Sequence, residues 1–152
     1  MYPITVLALG RLRQDPCRDL AQHYLAMLRP FARLEVVELP EGRGDPARAL
    51  SDEALRLRAR LQGTTCPVLL TPEGQLRDSE ALARWLGGRM DRGDSLAFVI
   101  GSSHGFDPAF KAEVREQISL SPLTFPHELS RVLLLEQLYR AFTILRGKTY
   151  HK

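Results

Sequence analysis

The stretch from Ser95 to Leu145 restricts the fold more than any other. An apolar run, SLAFVI, enters a Gly-bounded loop, GSSHG; after a helix and a short second strand comes a Pro-bounded loop, PLTFPHELSR, and then the longest apolar helix of the chain. Loops that leave the C-terminal ends of strands form the ligand crevices of open α/β sheets. A site is therefore expected there.

The rest of the chain supplies the sheet. Ile4–Leu9 (ITVLAL) is a run with β-branched residues closed by Gly10, and it reads as a strand buried on both faces, the mark of a parallel sheet. Leu34–Leu39 (LEVVEL), Pro67–Leu70 (PVLL) and Ser95–Ile100 repeat the signal, and Ser119–Ser121 reads as a fifth short strand. Between them lie helices. Asp15-Pro16, Asp45-Pro46 and Asp107-Pro108 each place an N-cap before a proline pre-set for the first turn. The first of these helices ends before Pro30, the second runs to Gly63, and the third runs to about Glu116. A further helix, capped by Asp78 or Ser79, reaches about Met90, with TPEGQLRD as a polar turn before it. The order β-α-β-α-β-α with right-handed crossovers gives an α/β fold with a largely parallel sheet flanked by helices.

A chain of 152 residues, 44% hydrophobic, is expected to form one domain spanning residues 1–152. No run reaches the roughly 18 to 20 apolar residues of a membrane span, and the start lacks a signal peptide, so a cytoplasmic protein without a membrane partner is expected. Cys17 and Cys66 have no metal or redox spacing and read as structural thiols. A formal charge of +3 permits an anionic partner without requiring one. Arg48, Arg56, Arg58 and Arg60 read as a solvated helix face, and Trp85 as core.

Two local features bear on chemistry. Gly101 and Gly105 bracket small residues, which serves equally a tight turn or a loop that lets backbone approach a ligand; it is neither a dinucleotide fingerprint nor a phosphate loop. Pro122 and Pro126 restrict the loop after the fifth strand, as a preorganised binding segment requires. From Glu128 to about Arg146 the apolar residues cover nearly the whole helix circumference, so one face is expected against the sheet and the other against a second copy. The tail, RGKTYHK, carries no acid and reads as a loose end or as an arm toward nucleic acid. His23, His104, His127 and His151 are scattered, and no metal site is expected.

The segment SLSPLTFPHELSRVLLLEQLYRAFTI with the terminal YHK resembles the SPOUT-class methyltransferases of the ribosomal RNA large subunit methyltransferase H type. Their pattern reads close to LS-x-L-T-[LF]-PH-x-x-x-R-x-x-L-x-E-Q-x-Y-R-A and ends in YH and a basic residue. ITVLALGRLR and VVELPEG are similar to the family's first two strands, so the resemblance spans the chain. It implies a C-terminal trefoil knot, a homodimer, S-adenosylmethionine as cofactor, and methylation of N3 of a pseudouridine in 23S rRNA of the large subunit or 70S ribosome. Carried over by position, the cofactor contacts fall on Leu70, Gly101, Leu120, Ser121, Pro122, Leu123, Thr124 and Phe125. The family has a second glycine where Ser102 stands. The imide N3 must lose a proton, and His127, Arg131, Arg140, Tyr150 and His151 are the residues expected to bind the nucleotide and ease that loss, the last two from a partner subunit. A SPOUT enzyme acting on tRNA and a non-catalytic dimeric RNA-binding factor are the alternatives.

Overall fold

The computed structural model describes residues 1–152. In chain order the elements are β1 (Tyr2–Leu9), α1 (Asp15–Leu28), β2 (Ala32–Leu39), α2 (Pro46–Leu61), β3 (Cys66–Leu76), α3 (Ser79–Asp91), β4 (Leu96–Ile100), α4 (Pro108–Glu113), β5 (Glu116–Ser119) and α5 (His127–Leu145). All strand pairings are parallel, in the order β2-β1-β4-β3-β5. The continuous apolar runs follow from this order. β1 and β4 are inner strands covered on both faces, and every residue of β4 is buried.

Period-2 alternation splits those runs between two cores. Val6, Phe98 and Val68 stand side by side across β1, β4 and β3 and join a core with Leu86 of α3 and Leu135 and Leu138 of α5. Their neighbours Leu7, Val99 and Leu69 face the other way, packing with Ala54 and Leu57 of α2 and Phe110 of α4. Each fully buried side chain of this size stabilises the fold by ~1.5–3 kcal/mol. α5 lies between α1 and α3. Those two helices cover the flanks of α5, so much of its all-round apolarity is accounted for within one chain.

β1 and β2 begin two residues ahead of the sequence reading, at Tyr2 and Ala32, and three further boundaries differ for a local reason. β3 does not stop at Leu70: Leu70 and Gln75 both align with Ile118 of β5, so residues 71–74 loop out as a bulge and the strand resumes to Leu76. The expected polar turn is part of that strand. Gly74 permits the close approach, since a Cβ there would lie 2.6 Å from backbone of Ile118. α4 ends at Glu113 rather than near Glu116, because the Gln117 amide donates to the carbonyls of Lys111 (2.8 Å) and Val114 (3.0 Å) and takes up its last acceptors. β5 therefore begins at Glu116, ahead of the expected Ser119.

The caps follow the Asp-Pro signal twice, with Asp45 accepting from Arg48 N and Asp107 from Phe110 N, and Asp78 accepts from Ala81 N in the same way. Asp15 departs from it. Gln14 is the N-cap of α1 with no side-chain bond, while Asp15 sits in the first turn and pairs with Arg18 at 3.0 Å. Glu128 of α5 accepts instead from Arg13 N at 2.6 Å and Gln14 N at 3.0 Å, tying the starts of α1 and α5 together.

Candidate active site

The bulge within β3 and the loops at the C-terminal ends of β4 and β5 meet around a cavity of about 400 Å³. The loop after β4 is folded on itself: Gly105 N donates to Ser102 O at 2.9 Å, and Gly105 has φ +80°. A Cβ on Gly101 would stand 2.7 Å from the Gly105 carbonyl oxygen. Only glycine fits there without opening the turn. Ser102 is anchored from below, its hydroxyl donating at 2.8 Å to Glu53, a carboxylate 3% exposed whose other oxygen accepts from Gly42 N at 2.8 Å.

The β3 bulge supplies the second wall with Thr71, Pro72 and Glu73. The Thr71 hydroxyl donates to Glu73, and Lys111 of α4 lies 3.2 Å from the same carboxylate. The Thr71 hydroxyl, the Glu73 backbone amide and Lys111, in that order, pull the Glu73 carboxyl down to about 2. It is an anion at any working pH. The third loop is pinned by the Ser119 hydroxyl, which donates to Ser121 O, and by the Ser121 hydroxyl, which accepts from Leu123 N at 3.0 Å. His127 and Ser130 close the cavity from the first turn of α5.

Of the positions carried over for the cofactor, Leu70, Gly101, Leu120, Ser121, Leu123, Thr124 and Phe125 line this cavity; Pro122 belongs to the same loop without lining it. His127 lines it too, and so does His104, which brings together two of the histidines that look scattered in sequence. Thr71, Pro72, Glu73, Phe106 and Lys111 are the lining residues that sequence reasoning missed. The signal was Gly74: a glycine inside a strand-like segment marks a bulge or a close backbone approach.

Arg131, Arg140, Tyr150 and His151 do not line the cavity. Arg131, 4% exposed, donates to Glu38 at 2.6 Å and to Gly10 O at 3.0 Å, which locks the ends of β1 and β2. Arg140, Tyr150 and His151 form a second cluster with Glu136. Arg140 holds Glu136 at 2.6 Å, lies 4.8 Å over the Tyr150 ring and contacts His151 Nδ1 at 3.1 Å. Tyr150 donates to Glu136 at 3.2 Å, and burial, then the Glu136 charge, push its phenol up to about 12. The tail is therefore not a loose end: Tyr150 packs on Tyr139 of the same chain, ring centroids 4.7 Å apart. From His127 to Arg140 the helix rises roughly 20 Å.

The family model described as "Predicted SPOUT methyltransferase" matches residues 2–151. A protein of Gemmatimonas aurantiaca named ribosomal RNA large subunit methyltransferase H is 39% identical, over 98% of this chain and 99% of that protein. A protein of Bradyrhizobium sp. with the same name is 40% identical over 98% of each. Among solved structures, a methylase family protein from Neisseria gonorrhoeae superposes with TM-score 0.56 at 13% identity, over 90% of this chain and 81% of that one. TrmJ from Z. mobilis superposes with TM-score 0.54 at 15% identity, over 94% of this chain and 71% of that one.

Proposed function

We propose, from the premise that this chain belongs to the SPOUT methyltransferase family, that it is a ribosomal RNA methyltransferase. The finer reading is transfer from S-adenosylmethionine to N3 of a pseudouridine in 23S rRNA on the assembled ribosome. It works as a homodimer in the cytoplasm, with the trefoil knot formed in the segment that carries the Leu120–Phe125 loop. One observation carries the reading. Seven of the eight positions that the family assigns to the cofactor, distant in sequence, line one cavity whose size lies within the range of small-molecule sites.

The residues fit the group. Leu70, Ile100, Leu123 and Phe125 offer apolar surface for a flat ring, the loop backbones offer amides and carbonyls, and Glu73, paired with Lys111, offers a carboxylate at the wall. S-adenosylmethionine supplies, when bound, a methyl group already activated on sulfur. The chain's own work is then positioning, exclusion of water and handling of the N3 proton. The turn from Gly101 to Gly105 and the Pro122–Pro126 loop hold the cavity in shape without induced ordering. His127, at its edge, is the residue placed to accept a proton from an entering base. Arg140, Tyr150 and His151 of a second subunit bind the nucleotide.

Calorimetric titration with S-adenosylmethionine tests the cofactor, and methyl transfer to 70S particles lacking the modification tests the substrate. Binding at one per subunit, weakened at least tenfold by Gly101→Val, is the expected result. Absence of binding by the unmodified chain would sink the reading.

A further inference from the structure

A second concave surface lies beside the first. The C-terminal ends of β1 and β2 form a cleft of about 930 Å³, lined by Arg11, Arg13, Arg43 and Arg56. Glu38, Glu41 and Asp52 face them. Glu38 is neutralised by buried Arg131, so four guanidiniums stand against two free carboxylates. Arg56 spends one donor on Pro40 O, whereas the exposed guanidiniums of Arg11, Arg13 and Arg43 have no intramolecular ion pair. An unpaired guanidinium presents a planar fork of donors that matches a phosphate.

The cleft and the cavity share one edge of the sheet. In the order β2-β1-β4-β3-β5 the β1/β2 boundary is two strand spacings from the β4/β3 boundary, roughly 10 Å. That is a span of two or three nucleotides at ~3.4 Å of rise each. The two surfaces are also joined through one buried side chain. Glu53 holds Ser102 of the cavity with one oxygen and Gly42 of the cleft with the other. Gly42 also leaves no room for a side chain, since a Cβ at that position would lie 2.2 Å from Ala49 O.

We propose that this arginine cleft binds the sugar-phosphate backbone of the RNA a few nucleotides from the base that enters the cavity, with Glu53 fixing the register between the two surfaces. The proposal rests on the rRNA methyltransferase reading above. The cleft reads no base; it sets where along the strand the cavity falls.

The test is the salt dependence of binding to unmodified 70S particles, measured by co-sedimentation for the unsubstituted chain and for the double variant Arg11→Ala/Arg43→Ala, with tritiated methyl transfer followed in parallel. Both residues are exposed, so the variant is expected to keep its melting temperature and its affinity for S-adenosylmethionine. Loss of two phosphate contacts lowers the slope of log K against log salt by about 1.4 and weakens binding roughly tenfold near 0.1 M salt. An unchanged slope in the variant overturns the proposal, as does failure of the unsubstituted chain to bind the particles. Salt-dependent binding through the cleft with no methyl transferred leaves the cleft standing and defeats the functional reading instead.

Discussion

At the scale of single residues, carboxylates set the geometry. Glu53 ties two loops, Glu73 charges the cavity wall, Glu136 gathers the tail, and Glu128 caps the start of α1 from another helix. Glu128 permits a sharp expectation. The amide of Gln14, and then that of Arg13, hold its carboxyl below the usual carboxylate range against the opposing effect of burial. A depressed folded-state value means the contribution is in place above the unfolded value of about 4.3 and fades as pH falls through the folded one. Glu128→Gln should therefore cost about 1 kcal/mol near neutrality, a fall of ~2–4 °C in melting temperature for a chain of this size. The gap should close as the pH of the melting series drops below about 4. A gap that stays constant across the series would assign the loss to packing. The ties made by Glu53 and Glu128 are not legible in the sequence, because their partners lie many residues away, whereas Glu136 and Arg140 stand at i and i+4 and show their pairing in the sequence.

Among elements, legibility follows burial. β1 and β4 are read from their runs because inner strands covered on both faces are largely apolar, and the Asp-Pro pairs announce α2 and α4 because capping is local. The second half of β3 is polar, and only its partner β5 makes it a strand. Residues 71–74 reach the cavity because the bulge throws them out of the ladder, so the missed strand and the missed Glu73 are one error. Substitution at glycine exposes this dependence. Gly74→Ala sets a Cβ against the Ile118 backbone, which cannot rotate away, and should destabilise by about 1–3 kcal/mol while lowering cofactor affinity through the displaced bulge. Gly88→Ala, on α3 with open space around it, should stabilise by about 0.5–1 kcal/mol and leave affinity unchanged. Thermal melts of the pair should shift in opposite directions, and calorimetric titration should weaken for Gly74→Ala alone if the bulge shapes the site; equal affinities would detach it from binding.

Across the whole molecule, the residues proposed for one reaction occupy two places. His127 is at the cavity, while Arg140, Tyr150 and His151 cluster along α5 and against α3, where His151 Nε2 stands 3.9 Å from Glu80. Within one chain the tail is held by Glu136 and Tyr139, and roughly 20 Å of helix separates its arginine from His127. If both groups serve one base, the tail must come from a second copy, and a two-fold dimer places each tail over its partner's cavity in the same way. Complementation measures this. A Gly101→Val chain keeps its tail and loses its cavity; a chain cut after Thr149 keeps its cavity and loses Tyr150, His151 and Lys152. Each alone should be inactive. Unfolded together and refolded as an equal mixture, half of the dimers are mixed and each of those has one intact composite site, so methyl transfer should return to about a quarter of the unsubstituted level. Activity in the truncated chain by itself would remove the tail from the reaction. A mixture as inactive as its parts, with mixed dimers present by mass, would require both groups from one subunit, and so a rearrangement of α5 that its packing between α1 and α3 opposes.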